Sequence, residues 1–251
     1  MKLNKTMLVA LLAGMALCGC QKDDDASSNE NGGTGVKGTP LIATMTIHND
    51  KVVKTVSYKY DGKGRIISYN SDAVEASNYF KNVTFTYSES KIVEQVTLGD
   101  KSTLTIESKL NGKGLAISSV WKNGNGEIQN SSEAEYNDDG YLIHKKDVDK
   151  KGNYECSYSY TIENGNVVKK VRASNNGYGE TETYTYYTDK PNTIGNEDGG
   201  LFYYGKQSKN LLKSKTNGGH TDTYTYEFDS KNRVTKQLCS DGSYTEYTYI
   251  E

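Results

Sequence analysis

One unit recurs along this 251-residue chain and limits its fold more than any other feature. It opens on tyrosine-x-tyrosine, passes through a turn of Asp, Asn and Gly, and resumes on aliphatic residues. Tyr58-x-Tyr60-Asp61-x-x-Gly64-x-Ile66-Ile67 is the fullest copy. It returns as Tyr136-Asn137-Asp138-Asp139-Gly140-Tyr141-Leu142-Ile143 and as Tyr158-x-Tyr160-x-Ile162-x-Asn164-Gly165-Asn166-Val167-Val168. Another copy is Tyr224-x-Tyr226-x-Phe228-Asp229-x-x-Asn232-x-Val234. Weaker copies begin at Phe85, Leu104 and Tyr184, and Tyr247-x-Tyr249 closes the chain. Asp, Asn and Gly are the residues tight turns require, so each copy reads as strand, turn and strand.

The strands alternate with period two. Tyr224, Tyr226 and Phe228 share one face, while Thr223, Thr225 and Glu227 share the other. Tyr158, Tyr160 and Ile162 oppose Ser157, Ser159 and Thr161 in the same way. Beyond the N-terminal region no stretch has a helical period, and only Pro40 and Pro191 could interrupt strand pairing. Strands with one apolar face and no helix to cover it must close on themselves or stack as two layers. The expectation is an all-β antiparallel meander of roughly 14–16 strands, closed or strongly curved into a soluble barrel-like sheet. A membrane-spanning barrel would turn an apolar band about 25 Å tall toward lipid. Thr55, Ser57 and Lys59, on the polar face of one strand, argue against that.

Composition fits a polar core. Leu, Ile, Val and Phe are scarce, and 21 tyrosines supply the missing ring area, each with a hydroxyl that needs a partner when buried. A net charge of −2 with no basic stripe excludes nucleic acid as a partner.

The N-terminus reads as an export signal. Met1-Lys2-Leu3-Asn4-Lys5 is a basic start, and the apolar run from Met7 to Leu17 is too short to span a bilayer. Leu17-Cys18-Gly19-Cys20 has the form of a lipobox. Residues 1–19 are therefore expected to be a lipoprotein signal peptide, with Cys20 the lipidated residue and the membrane contacted through that lipid alone. Gln21-Lys22-Asp23-Asp24-Asp25 and the Ser, Asn and Gly run to Thr39 read as an acidic, flexible tether over 20–39. Residues 40–251 are left as a single β-repeat domain.

Chemistry is sparse. His48, His144 and His220 lie too far apart for metal-ligand spacing. Asp61-Gly62-Lys63-Gly64 and Asp138-Asp139-Gly140 look like pieces of calcium loops but occupy hairpin turns. Glu180 and Glu182 read as acids on the polar face of a strand. No nucleophile elbow or phosphate loop occurs. No cofactor, metal or catalytic residue is assigned, and the chain reads as a non-enzymatic monomer. Cys156 and Cys239 are candidates for a disulfide in an exported protein, and equally for unpaired strand residues.

The repeat breaks between Tyr187 and Leu211. Phe202, Tyr203 and Tyr204 in that insertion, with the sole tryptophan Trp121, are the candidate ligand-binding residues. Insertions in β scaffolds often build binding loops. The alternative is a segment that plugs a barrel end with its aromatics in the core.

The Tyr-x-Tyr-Asp-x-x-Gly-x-Ile unit resembles the YD repeats of Rhs-type shell proteins. Lipobox, acidic tether and Tyr-rich hairpins together resemble a Bacteroides-type exported lipoprotein family of unknown function with a porin-like β fold. The resemblance spans about residues 40–251 and implies no catalytic residues. It implies a lipid-anchored outer-membrane protein exposed at the cell surface, with a periplasm-facing position as the alternative. The leading function is binding or scaffolding, with a glycan or surface polymer as ligand. A purely structural envelope shell is the second reading, and a polysaccharide-active enzyme the third.

Overall fold

The computed structural model describes residues 40–49, 53–72 and 80–251. The expected signal peptide, lipidated Cys20 and tether lie outside the described residues. The first half of the wall is β1 (Ile42–His48), β2 (Val53–Tyr60), β3 (Ile66–Ser71), β4 (Phe80–Tyr87), β5 (Lys91–Leu98), β6 (Thr103–Leu110), β7 (Ala116–Asn123) and β8 (Ile128–Tyr136). The second half is β9 (Leu142–Asp149), β10 (Glu155–Glu163), β11 (Asn166–Ser174), β12 (Gly179–Pro191), β13 (Asn210–Asn217), β14 (His220–Phe228), β15 (Val234–Cys239) and β16 (Tyr244–Tyr249). Each strand pairs antiparallel with its sequence neighbour. The last returns to the first, with Met45 opposite Tyr247, and the meander closes as a sixteen-stranded barrel. Closure removes every exposed sheet edge.

The turn after β2 shows what the repeat unit encodes. Asp61 Oδ1 accepts the N–H groups of Lys63 and Arg65 at 2.9 and 3.0 Å, and the Gly64 N–H donates to the Asp61 carbonyl. Asn111 and Asp229 make the same two side-chain bonds after β6 and β14. The aliphatic pair that follows sits where the register slips, between Lys59 and Tyr60 on the partner strand. A bulge sets two residues against one. Ile66 is therefore fully buried while its neighbour Ile67 is 40% exposed.

The repeated tyrosines hold adjacent strands together. Tyr60 donates its hydroxyl to the Ile42 carbonyl at 2.7 Å, and Tyr87 donates to Ile66 at 2.7 Å. Tyr136 reaches the Ala116 carbonyl, Tyr186 that of Val167, Tyr226 that of Leu212 and Tyr249 that of Val234, at 2.6–3.1 Å. In every case the acceptor is a residue on the preceding strand. The phenol thus buries its ring and finds its partner in one move.

The outer wall is polar. Thr44 meets Thr248 at 2.6 Å, Thr46 meets Thr55, and Glu107 joins Lys91 and Lys122 at 2.9 and 2.8 Å. The inner wall has two unlike parts. Val56, Ile66, Val83, Ile92, Val96 and Ile106 form an apolar core behind β2–β6. A smaller cluster gathers Val167, Tyr184 and Leu212 on β11–β13.

Cys156 and Cys239 are both free, which corrects the candidate disulfide. They lie on β10 and β15, five strands apart around the wall. At about 4.8 Å per strand that separation exceeds the reach of a disulfide.

Candidate functional site

The connection from β12 to β13, residues 192–209, folds across one end of the barrel. It takes hydrogen bonds from around the rim. The Ile42 N–H donates to the Asp198 carbonyl at 2.9 Å and the Ile66 N–H to that of Gly200 at 3.3 Å. Across the barrel, Lys206 donates to Gly140 and Lys209 to Gly165, while Val234 donates to Thr193 Oγ1. These partners sit at the start of β1 and at the turns after β2, β8, β10 and β14, so the segment is a plug for that end. At the opposite end the described connections are tight turns.

Two glycines let the plug seat. Gly200 and Gly205 have φ of +69° and +82°. A Cβ on Gly200 would stand 2.8 Å from Ile66 N, and one on Gly205 would stand 2.6 Å from the Gly140 carbonyl. Buried polar side chains complete the fit. Gln207 donates to Asn196 at 2.7 Å, and Asn196 donates to the Gly205 carbonyl at 3.0 Å.

The predicted aromatic contacts divide between plug and wall. Phe202, Tyr203 and Tyr204 form one short 3-10 turn. Tyr203 is 3% exposed, packs with the apolar core, and donates to Glu94 Oε1 on β5 at 3.0 Å. Tyr204 keeps 37% of its surface open while its hydroxyl reaches the same oxygen at 3.4 Å. Trp121 lies on β7, half-buried, 6.4 Å from Phe80. It packs against the same apolar core that takes up Tyr203.

Burial pushes the Glu94 carboxyl up to about 7, against the pull of the two tyrosine hydroxyls. Burial likewise pushes Asp198 up to about 7, although the Gly195 N–H donates to it at 2.7 Å. Burial also raises Glu197. Two carboxyls of the plug, Glu197 and Asp198, and one of the wall, Glu94, therefore resist ionisation.

A second arrangement, missed in the sequence, lines the inner wall from β9 to β14. Register places Lys145 and Asp147, Lys170 and Arg172, Glu180 and Glu182, Lys215 and Asp222 on the face that carries Tyr158 and Tyr184. This corrects the reading of Glu180 and Glu182 as acids on the polar face of a strand, because they share the face of Tyr184. The charges pair across and along strands: Lys145 with Asp147 at 3.0 Å, Lys170 with Glu182 at 2.8 Å, Arg172 with Glu180 and Lys215 with Asp222 at 3.8 Å. Their side chains are 13–32% exposed, so this part of the interior is less tightly filled than the core behind β2–β6. Burial would raise Glu182, but hydrogen bonds from Lys170 and Tyr184 hold it below the usual carboxylate range. Lys145, Lys170 and Arg172 all stand 5.7–5.9 Å from the centre of the Tyr158 ring. Arg172 also donates to the buried Cys156 sulfur at 3.2 Å.

The three histidines stay apart. His48 stacks on Tyr244, and His220 meets Asp222 at 3.0 Å. Among the described residues no group of three or more His, Cys, Asp or Glu could hold a metal ion.

Two solved structures share this architecture. A porin-like protein from Bacteroides uniformis aligns with a TM-score of 0.64 at 16% identity, over 83% of this chain and 98% of that one. A porin-like protein from Bacteroides vulgatus aligns with a TM-score of 0.57 at 12% identity, over 84% and 99% of the two chains. At such identities the likeness is one of fold. No family model matches the chain, and neither does any curated protein.

Proposed function

We propose that this protein is a non-enzymatic binding barrel, lipid-anchored through Cys20 at the outer membrane and displayed at the cell surface. The lumen is its working surface, and a glycan or other surface polymer its ligand. One observation carries the reading: an inner wall of paired charges and tyrosines that keeps part of its surface open inside a closed barrel. Charges are costly to enclose, and apolar side chains of similar volume often pack at least as stably. The apolar core behind β2–β6 demonstrates that this chain can fill its interior that way.

Catalysis is disfavoured by where the acids stand. A general acid needs a pKa near the working pH and access to substrate. Glu94 and Asp198 have the first but are buried in and under the plug. The lumen carboxylates have access, yet each faces a cation. The polar outer wall suits a barrel that stands in water on a tether rather than one that spans lipid.

A glycan array probed with residues 40–251 tests the proposal. The expected outcome is a bound glycan that Tyr158→Ala releases and the outer-wall control Thr185→Ala retains. Binding that survives Tyr158→Ala would move the site off the lumen. An empty array would favour the structural-shell reading.

A further inference from the structure

We infer that the lumen takes an uncharged, hydroxyl-rich chain, a neutral oligosaccharide, along the paired charges of β9–β14; this rests on the lumen being the binding surface. The wall there carries four cations (Lys145, Lys170, Arg172, Lys215) and four carboxylates (Asp147, Glu180, Glu182, Asp222), so 4 − 4 leaves no net charge. A polyanion would have to pull a cation away from its carboxylate, and a polycation the reverse. Either exchange breaks one charge-assisted bond to make another.

A hydroxyl escapes that exchange because it donates and accepts at once. Set beside Lys170 and Glu182, one hydroxyl or a neighbouring pair can donate to the carboxylate and accept from the ammonium while the two stay 2.8 Å apart. Such bonds to charged groups are the strong ones. Partial exposure of every pair leaves room for them. The Tyr158 ring adds an aromatic surface for the C–H face of a sugar, held in place by the cations around it. The pairs recur around the wall, on β9, between β11 and β12 and between β13 and β14, so a ligand of repeating units meets similar groups at intervals along it. That periodicity fits a chain better than a single sugar.

Calorimetry with residues 40–251 and three hexamers tests this: a neutral glucan, a uronate and a cationic amino-sugar chain. The neutral chain should bind, with the two charged chains at least about tenfold weaker, the worth of one charge-assisted hydrogen bond. Glu182→Gln should weaken the neutral chain by about tenfold. The exchanged pair, Lys170→Glu with Glu182→Lys, should restore most of that loss, which separates charge pairing from damage to the fold. Uronate or amino-sugar binding as tight as the neutral chain, still weakened by Glu182→Gln, would overturn the neutral ligand and leave the lumen reading standing. No binding by any hexamer, or binding indifferent to Glu182→Gln, would overturn both.

Discussion

The tyrosine hydroxyls carry the repeat's structural meaning. Each clamp phenol satisfies a carbonyl of the preceding strand that would otherwise face a closed interior. Removing Tyr87's hydroxyl leaves the Ile66 carbonyl without this donor. Tyr87→Phe should therefore cost about 1–3 kcal/mol in denaturant unfolding, against a negligible change for Tyr178→Phe, half of whose surface is exposed. An equal cost at both positions would contradict the clamp. The clamps were half legible. Alternation marked the inward face, but the acceptor lies 14–21 residues away and depends on a register no single strand discloses. The lumen charges were legible in principle through parity. Glu182 and Asp222 sit two residues before Tyr184 and Tyr224, on the tyrosine face, where Val56 and Val83 precede Tyr58 and Phe85 in the apolar copies. The general rule that charges face outward concealed this, because here the charged residues share the inner face.

At the scale of elements, the plug is the part that departs from the repeat, and its behaviour should depend on pH. The folded-state carboxyls of Glu94 and Asp198 are raised to about 7, above their unfolded values near 4. A folded state that holds protons more tightly is favoured at low pH. Their contribution is fully present below about pH 4 and is lost as the pH rises through about 7. Hydrogen exchange at the Gly195, Leu201 and Gly205 amides, corrected for intrinsic rates, should show protection falling over that window. Glu94→Gln should flatten part of the fall, and an unchanged profile would remove Glu94 from the latch. Gly205→Ala drives a methyl into the Gly140 carbonyl. It should expose those same amides at every pH while the strand amides of β4–β6 stay protected. Loss of protection throughout would mean that plug and barrel unfold as one unit. The break in the repeat and its aromatics were plain in the sequence. Inward seating was one of two readings open in the sequence, and what decides for it, two left-handed glycines and partners from four separate turns, no local motif discloses.

The whole molecule joins a porin-like architecture to a polar outer wall. Sixteen short strands close without an edge, one end is stoppered, and the interior divides into a dry part and a charged part. The repeat spacing gave the strand count to within two, because each unit is one hairpin and its turn. The absence of helices to cover an apolar face left a closed barrel and a strongly curved sheet as the choices, and the pairing of β1 with β16 decides for closure. The division of the interior did not follow, because it depends on which copies lead with valine and which with an acid or cysteine. Binding in the lumen requires the interior beside the charged wall of β9–β14 to be wet, and β8 borders that wall. Ser132 shares the inner face with Ser119 and Asp147, while neighbouring Ser131 faces outward with Val120 and Val148. With Cys156→Ser and Cys239→Ser as background, each serine can be replaced in turn, Ser132→Cys and Ser131→Cys, and challenged with a small charged thiol reagent. Both should be modified in the native protein at comparable rates. A Ser132→Cys thiol that resists until the barrel is unfolded would mean a dry core, and would contradict the account.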